Sequence, residues 1–304
     1  MLRQLPSLPF STSKVSSKGI SVGPGEFKIT QLPVLRSSFQ ELKDFSNDVE
    51  DRNRLALPSY KWRLIISYDG TRFSGWQYQQ STPTVQCLVE EALTRITKLE
   101  RDHLGLVGAG RTDAGVHAWG GALQHTFQLR QLGARSRSSE WIYNDTVMDP
   151  FQRHFAYHSL YKLNAAAMRS AARHFVGTHN FSAFANASHN DRTPNPVKNI
   201  FRFDVTEMGS MLLLEVEGSG FLYRQVRNMV ALLIQVGKEA VPVDIVADIL
   251  ASRNRRELAK YALSVPPHGL CLYGVKYNED HLGRCHPRSF GRNHTITKCK
   301  LPFY

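Results

Sequence analysis

The chain has 304 residues, with 38 Lys and Arg against 26 Asp and Glu, a formal net charge of +12. That length is enough for one large domain or two small ones with real cores, so neither disulfides nor a metal is required for stability. The charge fits a polyanionic partner and equally a merely basic surface. The longest uninterrupted aliphatic run, Met229 to Ile234, falls far short of the roughly 20 residues that span a bilayer. Four cysteines, Cys87, Cys271, Cys285 and Cys299, include no C-x-x-C pair and are too irregular for a disulfide framework.

Residues 1–58 read as a leader outside the fold. Their first part is rich in Ser and Thr, carries Arg3, Lys14 and Lys18, and has no acid before Glu26, which is transit-peptide composition and not that of a secretory signal. From Lys61 the alternation of Trp62, Leu64 and Ile66 with Arg63 and Ser67 predicts a strand that stops at Asp69-Gly70. Thr82 as N-cap and Pro83 as first helical residue predict an amphipathic helix over 83–98. A strand is expected at 122–127, and the Ser/Arg-rich stretch 130–140 shows no clear period. Helices are expected at 165–176, 221–236 and 242–252. A hairpin is expected from 198–206 and 211–217 around Met208-Gly209-Ser210, and a last strand at 270–277. Mixed strands, helices and hairpin turns indicate an α+β fold with an antiparallel sheet.

The densest chemical signal is Gly108-Ala109-Gly110-Arg111-Thr112-Asp113-Ala114-Gly115-Val116-His117-Ala118. Small residues around Arg111 and Asp113 let the backbone bend tightly and a large ligand approach the carboxylate. An arginine within a few ångströms favours the ionised carboxylate, and Arg111, two residues away, is the candidate to lower the pKa of Asp113. The run Gly105 to Thr112 differs by one substitution from a phosphate-binding loop, with Arg111 where lysine belongs. A charged segment precedes it and further glycines follow, where such a loop needs a buried strand and a helix.

The run Arg111 to Ala118 is similar to the signature of the TruA family of tRNA pseudouridine synthases. Other blocks resemble that family in order and spacing: Tyr68-Asp69-Gly70 through Phe73, Gly75-Trp76-Gln77 and Gln79; Thr84-Val85-Gln86; Asn180-Phe181-Ser182 with Phe184; Arg192-Thr193-Pro194; Arg224 to Val230; and His268-Gly269-Leu270. The resemblance covers residues 61–277. It implies two pseudo-symmetric RRM/ferredoxin-like halves with helices on one face of the sheet, here 59–145 as the catalytic half and 146–280 as the C-terminal half. It also implies that Asp113 attacks the uridine at C6 or at ribose C1′ without metal or organic cofactor. Arg111 then lies near the flipped nucleotide, Arg227 pairs with the aspartate, and Leu270 lines the base pocket. The substrate class implied is tRNA, modified in the anticodon arm, with a homodimer as the usual assembly. The transit-peptide composition places the chain in a plastid or mitochondrion, or in cytoplasm or nucleus if the leader has another use.

The chain departs from the family pattern between the strand at 122–127 and the helix at 165, where several tens of residues are missing. The N-terminal half is therefore expected to lack central strands. The family's active-site tyrosine falls on Ser138, and Tyr143, five residues on, points to the opposite face of a strand. Two readings stay open: an active tRNA pseudouridine synthase, or a tRNA-binding variant without activity. His268 reads as a turn histidine. Arg253, Arg255, Arg256 and Lys260 form a basic cluster, either a solvated face or a grip on phosphates. In the tail 281–304, the spacing of Cys285, His286, His294 and Cys299 matches no compact zinc site.

Overall fold

The computed structural model describes residues 21–22, 25–30, 62–125, 135–187 and 195–276. Arg192-Thr193-Pro194, the tail 281–304 and most of the leader lie outside them. In chain order the strands are β1 (Ser21–Val22), β2 (Gly25–Thr30), β3 (Trp62–Tyr68), β4 (Leu106–Gly108), β5 (His117–His125), β6 (Arg135–Tyr143), β7 (Tyr157–His158), β8 (Gly177–Asn180), β9 (Val197–Met208), β10 (Met211–Gly218) and β11 (Leu270–Lys276). The helices are α1 (Val85–Thr97), α2 (Arg101–Leu104), α3 (Ala165–Arg173), α4 (Gln225–Gly237), α5 (Ile245–Ser252) and α6 (Arg255–Ala259), with single 3-10 turns at Ser182–Phe184 and Pro267–Gly269. The strands run β1-β2-β3-β5-β11-β6-β10-β9-β8, with β4 on β5 and β7 on β6. All neighbours are antiparallel except β11 with β5 and β6 with β7. The fold is α+β with a mostly antiparallel sheet.

The hairpin shows why the helix layer sits where it does. Along β10, Leu212, Leu214 and Val216 are buried while Met211, Leu213, Glu215 and Glu217 are only half covered, the period-two pattern of a sheet with one packed face. Helices α3 and α4 lie on the packed face. Helix α4 is apolar almost all round, with Met229, Val230, Leu232 and Leu233 without solvent exposure, which is why it is a central helix and not a surface one. Phe175 packs edge-on against Phe184 at 5.1 Å between centroids.

Three expectations change. The helix predicted to start at Pro83 starts at Val85 with Thr84 as its cap, whose side chain accepts from the Cys87 amide. The carbonyls of Pro83 and Gly75 are taken by Ser74 and Val85, so Pro83 serves the preceding turn. The stretch without a period holds strand β6, which pairs from Ser136 to Tyr143 with β10 and from Arg135 to Glu140 with β11. Its Arg137 pairs with Glu215 and its Arg135 with Glu217 across the open face, a cross-strand matching invisible within one segment. Finally, part of the leader joins the fold: β2 lies antiparallel on β3, with Phe27 opposite Ile66, because an edge strand offers unpaired backbone groups to any extended segment.

The strand order sets how the two parts of the sheet meet. Strands β5 and β6 are consecutive in the chain but are not neighbours, since β11 comes between them. Its parallel pairing with β5 is confined to Cys271 opposite His117 and Leu272 opposite Ala118. This short seam holds the residue 62–125 region to the rest of the sheet.

Candidate active site

Asp113 sits on the loop between β4 and β5, and residues of the Tyr68 to Gln79 block hold that loop in place. The Trp76 amide donates to the Thr112 carbonyl at 3.0 Å, the Gly115 amide to the Phe73 carbonyl at 3.1 Å, and the Tyr68 hydroxyl bonds the Thr112 hydroxyl at 2.7 Å. Burial raises the pKa of the Tyr68 phenol, opposed by its bond to Thr112. Gly75, at φ +101°, lies so close that a Cβ there would be 2.9 Å from the Thr112 carbonyl oxygen, so only glycine permits the approach. The two blocks centred on Gly75-Trp76 and Thr112-Asp113 form one structural unit.

His117 closes this unit against the rest of the molecule. The Gly70 amide donates to its Nδ1 at 3.0 Å, with a carboxylate oxygen of Asp69 3.1 Å from the same atom. Its Nε2 lies 3.0 Å from the His154 carbonyl and 3.2 Å from the His268 carbonyl. A carbonyl oxygen can only accept, so Nε2 donates to these two groups. His268 is the turn histidine expected, half-buried, with burial lowering its pKa.

The charge partner of Asp113 comes from across the seam. Arg227, on α4, donates from Nη1 to Asp113 Oδ2 at 3.2 Å, with side chains 8% and 19% exposed. Its Nε donates to the Val265 carbonyl at 2.7 Å, so its position is fixed from two sides. Arg111 is exposed and takes no part in this contact. The expectation that Arg111 lowers the pKa of Asp113 is therefore corrected on two counts. Burial dominates and raises it, while Arg227 and then Arg224 pull it back. Leu270, buried at the start of β11, follows the Pro267–Gly269 turn beside these groups.

Sequence reasoning missed two groups here. Glu140, on β6 opposite Leu270 and Leu214, is fully buried, and neither carboxyl oxygen has a hydrogen-bond partner. Burial drives its pKa well up against the pull of Arg227. It lies in the stretch that has no period, so no local signal marked it. Arg224 occupies the residue before α4 in a left-handed conformation, φ 58°. Ser138, the position to which the resemblance assigns the family's tyrosine, is buried on the same face of β6 as Glu140. Tyr143 packs edge-on against His158 with ring centroids 6.1 Å apart. Among the described residues no group of three His, Cys, Asp or Glu side chains is arranged to hold a metal ion.

A family model described as tRNA pseudouridine synthase matches residues 64–159 and 171–278 of this chain. The chain belongs to that family. It is 35% identical to tRNA pseudouridine synthase A 1 of Protochlamydia amoebophila, over 72% of this chain and 97% of the relative. It is 32% identical to tRNA pseudouridine synthase A of Bacillus subtilis, over 71% and 98%, and 35% identical to that of Thermosipho melanesiensis, over 71% and 99%. The first alignment runs over 253 positions but takes in 72% of 304 residues, about 219, so about 34 positions of the synthase relative have no counterpart here. The family is one of isomerases acting on tRNA uridine, and both motif blocks that build the Asp113 loop lie within the matched residues.

Proposed function

We propose that this chain isomerises uridine to pseudouridine in the anticodon arm of tRNA, with Asp113 as the nucleophile and no cofactor. The observation that carries the reading is the Asp113–Arg227 pair, an almost buried carboxylate held by an arginine that is itself anchored to Val265. A nucleophilic carboxylate must be ionised in a water-poor cleft, and a fixed guanidinium supplies that without reorganising during the reaction. Asp113 adds to C6 of the base or to C1′ of the ribose, the N1–C1′ bond breaks, and the base turns and joins C1′ through C5; the Asp113 carboxylate is then released, C5 gives up its proton and N1 takes one. Leu270 forms the apolar wall of the base pocket, and the exposed Arg111 meets the flipped nucleotide. A base stacked in RNA must leave the stack before any of this is possible.

The second reading, a tRNA-binding variant without activity, is favoured by Ser138 standing at the tyrosine position and by the missing positions. Release of tritium from C5-labelled uridine in tRNA separates the two. The active reading expects release by the wild-type chain and background release by Asp113→Ala, with both retaining tRNA on a filter. Wild-type release equal to Asp113→Ala, with tRNA still retained, selects the inactive variant. The further expectations are a homodimer and, from the leader composition, import into a plastid or mitochondrion.

A further inference from the structure

Arg224 is one turn before Arg227 on the same strand-to-helix entry, yet the two guanidiniums are used differently. Arg227 is bonded to Asp113 and to Val265. Arg224 makes no ion pair among the described residues, and its Nε is shielded from solvent without any acceptor. It is nevertheless close enough to Asp113 to favour its charged form. Its guanidinium lies over the Tyr223 ring, 5.2 Å from Cζ to the centroid, a stacking that leaves the N–H edges free to meet an acceptor.

The backbone at this position is also unusual. Arg224 is one of four non-glycine residues with positive φ among those described. A side chain there costs energy that glycine or asparagine would avoid or reduce, and no capping bond from Arg224 offsets it. The main chain is held by the Asn228 amide, which donates to the Arg224 carbonyl, and by the Asn186 amide, which donates to the Tyr223 carbonyl. Within the described residues the side chain that makes the conformation costly stacks on Tyr223 but finds no acceptor for its Nε.

We propose that Arg224 binds an RNA phosphate flanking the target uridine, a role that rests on the tRNA reading above. A nucleotide placed with its sugar or base at Asp113 carries its phosphates about one sugar's breadth away, and a planar guanidinium matches two phosphate oxygens at once. A phosphate suits the site better than a base edge. It brings the bonded anion that Arg224 lacks, since Asp113 is hydrogen-bonded by Arg227 and acts on Arg224 only through its charge.

The test is tRNA retention on filters over a salt series for the wild type, Arg224→Gly and Arg224→Lys. Arg224→Gly removes the side chain while suiting the left-handed backbone, so its melting temperature stays at or above that of the wild type. Its affinity falls about tenfold, and the slope of log affinity against log salt falls by roughly 0.7–0.9, the loss of one phosphate contact. Arg224→Lys keeps the charge and hence the wild-type slope. Equal affinity and slope for wild type and Arg224→Gly overturn the proposal while leaving the tRNA reading intact. Failure of the wild type to retain tRNA at any salt overturns the tRNA reading and the proposal with it.

Discussion

The two sides of the β5–β11 seam are built differently. On the C-terminal side, Phe175, Phe181, Phe184, Ile200, Met229, Leu232 and Leu233 form part of one large core between α3, α4 and the hairpin. On the other side, Leu64, Ile66, Trp76, Val85, Val89 and Leu106 make a small core under α1. The loop bearing Asp113 belongs to the thinner side and is held by backbone hydrogen bonds and His117. Its charge partner, Arg227, belongs to the thicker one. The geometry of the Asp113–Arg227 pair therefore depends on how the two sides meet at this seam.

The largest effect is expected from Phe184→Ala, which removes a fully buried ring from the big core and should cost about 3–5 kcal/mol. Urea unfolding followed with hydrogen exchange at Trp76 and Val89 sharpens the contrast. Loss of protection on both sides together shows one cooperative unit, and loss on the C-terminal side alone shows that the seam is weaker than either core. Arg227→Gln strikes the seam itself. It leaves Asp113 without its bonded cation and should cost about 3 kcal/mol, the usual scale for breaking a buried pair. A urea midpoint unchanged by Arg227→Gln would mean that the pair does not tie the two sides together.

The smallest effect is a gain. The folded-state pKa of Glu140 is raised above the ordinary value of 4.5 by burial. The stabilising contribution of its neutral form is therefore full below that value and is lost as pH rises toward the folded-state pKa. Glu140→Gln cannot ionise and keeps the shape. Its urea midpoint should exceed the wild type at pH 7–8, with the difference narrowing toward pH 4.5, whereas a difference constant with pH would assign the effect to packing.

The same contrast explains what was legible in the sequence. Helices α3, α4 and α5 and the β9–β10 hairpin carry their own periodicity, so their residues announce the thick core. Strand β6 does not, because its buried face is built from Ser138 and Glu140, and its charged face is matched only by Glu215 and Glu217 on another strand. Asp113 is marked by its glycine-rich surroundings. Its pairing with Arg227, over a hundred residues away, was implied by family resemblance alone. Arg111 was the natural local candidate to set the pKa of Asp113, but nearness in sequence did not bring its side chain into the cleft. The left-handed turn at Arg224 leaves no trace in composition, since nothing in Tyr223-Arg224-Gln225 suggests positive φ.

The most direct test of the account is the titration of the Asp113 carboxyl by carbon NMR, in the wild-type chain and in Arg227→Gln. The account predicts a wild-type value above the ordinary aspartate value of 3.8, because burial outweighs the arginines, and a further rise when Arg227 is removed. A wild-type value at or below 3.8, or a value that does not move in Arg227→Gln, would contradict it.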